Sequence, residues 1–127
     1  MPKLLWALIC KQAPYNEAGE LVMVKPFIEV SFDTGFPTPK YPFHVISCWG
    51  GVDGEAFTFF EKLIAPDGNI VTSEPETYEI KNGFATINSP YNLPLPSVGE
   101  YRIEFHIDDF KEPIGSIYLT AVMRTSS

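Results

Sequence analysis

The stretch Gly99-Glu100-Tyr101-Arg102-Ile103-Glu104-Phe105-His106-Ile107-Asp108 decides the fold. From Tyr101 onward apolar and polar residues alternate without a break. Tyr101, Ile103, Phe105 and Ile107 fall on one face; Arg102, Glu104, His106 and Asp108 fall on the other. Successive strand side chains point to opposite faces, so the pattern predicts a strand with one dry and one wet side. Gly99 marks the turn into it, and Tyr101 stands where the tyrosine corner of an antiparallel sandwich is found. A central strand of a β-sandwich is the reading.

The neighbouring segments agree. Ser89 to Val98 is a proline-rich link feeding this strand, and Asp109 to Gly115 turns the chain. Ile117, Leu119, Ala121 and Met123 then form the last inward row, and Arg124 to Ser127 reads as a frayed tail. Upstream, Tyr78–Ile80 and Phe84–Asn88 flank Asn82-Gly83, the strongest short-range hairpin signal in the chain. Glu55 to Ala65 is ambiguous: Phe57, Phe59 and Leu63 suit a strand, whereas Phe60, Leu63 and Ile64 suit a helical face. The turn Pro66-Asp67-Gly68 before another apolar run favours the strand.

Nearer the amino end, Phe43 to Trp49 places Phe43, Val45 and Trp49 on one face, and Gly50 to Gly54 is a flexible turn. Asp33 to Pro42 is a stiff connection with three prolines and two aromatics. Leu21 to Phe32 is strand-like, with Val22, Val24, Ile28, Val30 and Phe32. Pro26 places an edge, a bulge or a break within it. Leu4 to Cys10 is continuously apolar, as in a strand covered on both faces, and Gln12 to Glu20 is a loop. The first ten residues resemble a secretory signal in outline. Lys11 cuts the apolar run short and no small-residue cleavage site follows, so a buried strand and a cytoplasmic location are expected.

The whole is expected to be all-β: one antiparallel β-sandwich domain over residues 1–127, with about eight or nine strands. A chain of 127 residues can bury a core without metal or disulfides. Twelve prolines and nine glycines suit many short strands, and no stretch keeps a helical period for three turns. The net charge of −7 disfavours nucleic acid, whose backbone needs a basic surface, and it repels anionic lipid. Cys10 and Cys48 lie inside apolar strand patterns, so two buried thiols are expected, although the sequence leaves a bridge between them open.

Trp6 to Cys10, Phe36-Pro37, Leu63-Ile64-Ala65-Pro66-Asp67-Gly68, and Leu95-Pro96 followed by Gly99-Glu100-Tyr101 together resemble an uncharacterised bacterial family. Its members are small immunoglobulin-like β-sandwich domains of unknown function. Lys11 departs from the pattern, which usually has an acidic residue after the cysteine. The resemblance implies a fold; it brings no activity, cofactor or catalytic residue.

Searching for chemistry yields little. The Gly-x-Ser-x-Gly elbow is missing, and Gly50 to Gly54 lacks the lysine and helix of a phosphate loop. His44, Cys48, His106 and Met123 supply the residue types of a blue-copper site, but their spacing and the wet-face parity of His106 reject it. No metal or cofactor is expected. Glu104, His106 and Asp108 share a face and are the candidates for a shallow polar patch, weighed against an ordinary solvated sheet face. Asp108-Asp109 with Glu112 offers hard oxygen ligands for Ca²⁺, weighed against an ordinary acidic turn. Phe36, Tyr41 and Tyr91 lie on proline-stiffened loops and are the interface candidates, unless they fold back to cap the core.

The leading expectation is a non-enzymatic interaction module whose partner is another protein or a second copy of itself. The alternative is a small-ligand module, carbohydrate-like in specificity, with Trp49, Tyr41 or Tyr91 as a stacking platform. An enzyme ranks third and requires an enclosed pocket with a perturbed carboxylate or histidine.

Overall fold

The computed structural model describes residues 2–22, 24–27, 29–32, 36–108 and 110–123, with the side chains of 24–27 and Phe32 left aside. The expectations for Ile28, Asp33 to Gly35, Asp109 and Arg124 to Ser127 therefore lie outside the described residues.

Ten strands are present among them: β1 (Lys3–Gln12), β2 (Val24–Phe27), β3 (Glu29–Phe32), β4 (Tyr41–Gly50), β5 (Ala56–Ile64), β6 (Ile70–Thr72), β7 (Glu76–Glu79), β8 (Phe84–Leu93), β9 (Gly99–Ile107) and β10 (Gly115–Met123). They form a four-stranded sheet in the order β2-β1-β4-β8 and a six-stranded sheet in the order β3-β10-β9-β5-β6, with β7 also on β5. All described pairings are antiparallel except β3 with β10. The all-β sandwich is as the alternation predicts.

β9 is central in its sheet, between β10 and β5. Tyr101, Ile103, Phe105 and Ile107 are all at most 1% exposed. Against them, β4 presents Phe43, Val45 and Trp49, each fully buried. Trp49 is the largest side chain of this layer. Its ring lies 5.8 Å from Phe57, 5.7 Å from Phe59 and 6.4 Å from Phe105, and its Nε1–H donates to Ser47 Oγ at 2.9 Å. Edge-to-face and tilted rings at such spacings add to the burial term, and the indole donor is satisfied without water.

The tyrosine corner is present. Tyr101 Oη–H donates to the Ser97 carbonyl at 2.6 Å and accepts from Ser97 N–H at 3.1 Å. The two proline-rich links are also tied to each other: Thr38 N–H donates to the Leu95 carbonyl, and Leu95 N–H donates to Thr38 Oγ1. Gly99 precedes the corner at φ +132, and a Cβ there would stand 2.9 Å from Pro66 Cγ, so only glycine fits.

Three sequence expectations are revised and one is resolved among its alternatives. First, Asn82-Gly83 is a tight turn with φ values of 57 and 90, closed by hydrogen bonds between Lys81 and Phe84, but it does not join two paired strands. β7 already pairs with β5, and Ile80 N–H donates to the Glu55 carbonyl, so the chain leaves the turn into the other sheet. Second, Ser89 to Leu93 is strand, because β8 stays in register with β4 as far as Tyr41 opposite Leu93. Pro90 is tolerated there because β8 is an edge. Third, of the alternatives open at Pro26 the edge is the one found: Pro26 lies inside edge strand β2, and the strand pattern of Leu21–Phe32 divides between β2 and β3, which belong to different sheets. Fourth, Met123 is 48% exposed; Ile117, Leu119 and Ala121 alone pack on the core.

The outer face of the four-stranded sheet is covered at one end. Cys10, Ala13 and Ile46 are buried there under the loop between β1 and β2, with Leu8 and Leu21 packed on them. Both cysteines are buried. Cys10 stands opposite His44, and Cys48 opposite Trp6, so they are four positions apart along neighbouring strands, about 13 Å, too far to bridge.

Replacing Tyr101 with Phe should lower stability by about 0.5–1.5 kcal/mol in urea unfolding, with the slope unchanged. An unaltered midpoint would show that the corner hydrogen bonds contribute nothing net.

Candidate functional site

The interface candidates lie at the ends of the core. Phe36, Tyr41 and Tyr91 are half-buried and pack against the core cluster. Tyr91 stacks on Phe43 with centroids 5.0 Å apart, and Tyr41 tilts against the same ring at 6.2 Å. Trp49, proposed as a stacking platform, is sealed inside.

The polar-patch candidates divide. Glu104 and His106 meet, with His106 Nε2 3.2 Å from Glu104 Oε1, and Arg102 Nη2 lies 2.9 Å from Glu104 Oε2. Asp108 turns away at φ 51 and accepts from Thr58 N–H through Oδ1 at 3.0 Å, ending the alternation. His106 keeps the outward parity expected of it, yet it is only 4% exposed. Phe60, opposite it in register on β5, stacks on the imidazole at 4.8 Å and 9°. The wet-face expectation is corrected accordingly: an aromatic on the neighbouring strand covers a position that parity leaves outside. His44 bonds Asn88 on the outer face of the other sheet, so the two imidazoles sit on opposite sides of the sandwich.

A group that the sequence reading passed over is more unusual. Glu61 lies on β5 between Phe59 and Leu63 and shares their inward parity, and it is fully buried. Tyr91 Oη–H donates to its Oε1 at 2.6 Å, and Ser89 Oγ–H donates to its Oε2 at 2.9 Å. Both donors belong to β8, so the carboxyl links one sheet to the other. No basic side chain pairs with it among the described residues. Burial pushes the carboxyl up to about 7 against the pull of its two hydrogen bonds. The same burial, with the Glu61 charge beside it, raises the Tyr91 phenol, and burial with Glu76 pushes Tyr78 up to about 12. The signal was available: the inward row Phe57, Phe59, Leu63 contains position 61.

Ser89 and Tyr91 also line a cleft of about 190 Å³ at the open side of the sandwich, with Phe59, Ser73, Glu74, Glu76, Tyr78, Asn88 and Pro90. The Glu61 carboxyl sits behind the two hydroxyls, with both oxygens occupied.

The second notable surface is apolar. A bulge between Leu4 and Trp6 turns both Leu5 and Trp6 to the outside of β1. Trp6 stands opposite Cys48, which stands opposite Thr86; Gly50 stands opposite Phe84. The methyls of Leu5 lie over Gly50, 3.1 Å from where a Cβ would be. Leu5, Trp6 and Phe84 are 56%, 41% and 51% exposed. The expectation of a first strand covered on both faces fails here, because the loop that shields Cys10 stops short of Trp6.

No protein-family model matches the chain, and no curated protein matches it significantly. Among the described residues no helix is long and apolar enough to cross a membrane.

Stability should depend on pH through Glu61. Its folded value is raised above the ordinary 4.5, so the stability it contributes is complete below that value. It is lost as pH rises to about 7, and it changes little beyond. The thermal midpoint of the native chain should fall across this window by the equivalent of a few kcal/mol. Glu61→Gln, which keeps the hydrogen bonds and removes the charge, should flatten the profile. A wild-type midpoint flat from acid to neutral would contradict this assignment.

Proposed function

We propose that the chain is a non-enzymatic β-sandwich interaction module, that its contact face is the Leu5–Trp6–Phe84 surface, and that it self-associates there. The observation that carries this reading is the exposure of three large apolar side chains on one sheet face, Leu5 and Trp6 on β1 and Phe84 on β8, the two strands that flank β4. Leu5, Trp6, Cys48, Gly50, Phe84 and Thr86 carry no charge between them, and Lys3, opposite Gly50, borders them. Copies of a chain with net charge −7 repel one another, so an uncharged face is where two can approach. A two-fold contact sets the same patch against itself, which an apolar surface satisfies without complementary charges. Trp6 is the natural anchor, since indole rings dominate interface energetics. Association through strand edges is disfavoured in the four-stranded sheet, where β2 carries Pro26 and β8 carries Pro90.

The immunoglobulin-like kinship suggested by the motifs belongs to this proposal; two packed sheets and the Tyr101 corner support it. The ligand-binding alternative draws on the cleft beside Tyr91. Its stacking platform is missing, since Trp49 is sealed, the Tyr91 ring is already stacked on Phe43 and the Tyr41 ring tilts against the same ring. An enzymatic reading draws on Glu61, but its carboxyl stands behind its donors and not in the cleft wall.

Sedimentation velocity over a range of concentrations tests the proposal. The native chain should shift toward dimer as concentration rises, more readily in high salt because repulsion is screened. Trp6→Ser should weaken association about tenfold or more, a loss exceeding roughly 1.4 kcal/mol. A native chain that stays monomeric at high micromolar concentration and high salt overturns it.

A further inference from the structure

β5 is paired along its outer edge by two separate strands, β6 at residues 62–64 and β7 at residues 56–59. The interruption between them, Ser73-Glu74-Pro75, falls beside Glu61. There Ser73 N–H donates to the Glu61 carbonyl and Glu61 N–H donates to Ser73 Oγ. The six-stranded sheet is therefore least continuous at the position whose side chain crosses to the other sheet. On the opposite side of the same gap β8 is an edge, with Pro90 between the two residues that hold the carboxyl. The cleft opens between these two margins.

We propose that Glu61, Tyr91 and Ser89 form a proton-operated latch across the open side of the sandwich: neutral Glu61 holds β5 to β8, and ionised Glu61 releases the β6–β7 and β8 margins and widens the cleft between them. The chemistry of the three groups supports both states. Hydroxyls donate and accept, so a protonated Glu61 can donate to one partner and accept from the other, leaving nothing unsatisfied. An ionised Glu61 keeps two donors but carries a charge buried without a cation. The titratable groups around it offer no relief. From β7 and the segment before it come Glu74, Glu76 and Tyr78; from β8 comes Tyr91. β9 presents Phe105 opposite Glu61, and β4 presents Phe43 and Val45 opposite Tyr91 and Ser89, all apolar. Every charge an ionised Glu61 meets there is negative, and water reached by opening the margin is its best solvent. The shift of the carboxyl to about 7 puts the transition near neutrality.

Amide hydrogen exchange of the full chain, corrected for the intrinsic pH dependence of exchange, tests the latch. Opening at residues 73–79 and 88–91 should rise about tenfold per pH unit as pH climbs toward 7 and then level off. Amides of β9 and β4 should not share this local rise. Glu61→Gln should remove the pH dependence while the margin stays protected. Tyr91→Phe, which deletes one donor to the carboxylate, should move the levelling point to higher pH, readable as a shifted carboxyl stretch in infrared titration. A pH dependence that survives in Glu61→Gln, or a native margin whose protection does not change with pH, overturns the proposal. If Glu61→Gln fails to fold, the direction of the Tyr91→Phe shift decides alone, and no shift or a downward one refutes the latch.

Discussion

Everything in this fold depends on one apolar layer that two sheets share. β9 contributes Tyr101, Ile103, Phe105 and Ile107, β4 contributes Phe43, Val45 and Trp49, and β5 contributes Phe57, Phe59 and Leu63. Each buried Phe, Ile or Leu contributes about 1.5–3 kcal/mol, but only while the opposing row is in register to receive it. A shift of one residue in any of these strands would turn its whole row to the water. The corner at Tyr101 and the glycine at position 99 fix where β9 begins, and thereby fix that register.

The layer tolerates one carboxyl. At position 61 a hydrophobic residue would pack without the desolvation cost, so the presence of Glu there is not a stabilising choice at neutral pH. The arrangement around it limits the cost: two hydroxyls on the facing sheet, a neutral form with all its hydrogen bonds made, and a location at the margin instead of the centre. The aromatic exterior surface of β1 follows the opposite logic. There Trp6 and Leu5 are left in water although a covering loop lies a few residues away.

Sheet membership of β9, β4, β5 and β10 was legible because period-two alternation is a local property. Tyr101 was legible for the same reason. Partnership was less so. The Asn82-Gly83 turn is as tight as its sequence says, yet which strand follows which sheet is set by long-range pairing of β7 with β5, and no local signal carries that. Pro90 hid half of β8, because a proline speaks against a strand only where both edges are paired. His106 shows the same limit: parity gives the side of a sheet, not what a neighbour such as Phe60 lays over it. Glu61 was missed although its parity was plain, because a carboxyl in an inward row reads as an exception to be skipped. The candidates Phe36, Tyr41 and Tyr91 were chosen as loop residues, but Tyr41 and Tyr91 belong to β4 and β8, and all three pack on the core.

The switch of the chain from β2 in one sheet to β3 in the other has a temporal side. β3 has a single described neighbour, β10, and their pairing sets Glu29 beside Thr120, about ninety residues along the chain. Most other contacts in the sandwich join strands much closer in sequence. A nascent chain can therefore pair β1 with β2 and β4 long before β3 has anything to lie against. Until then that strand is an unpaired ribbon, tethered to the forming sandwich through β2 on β1.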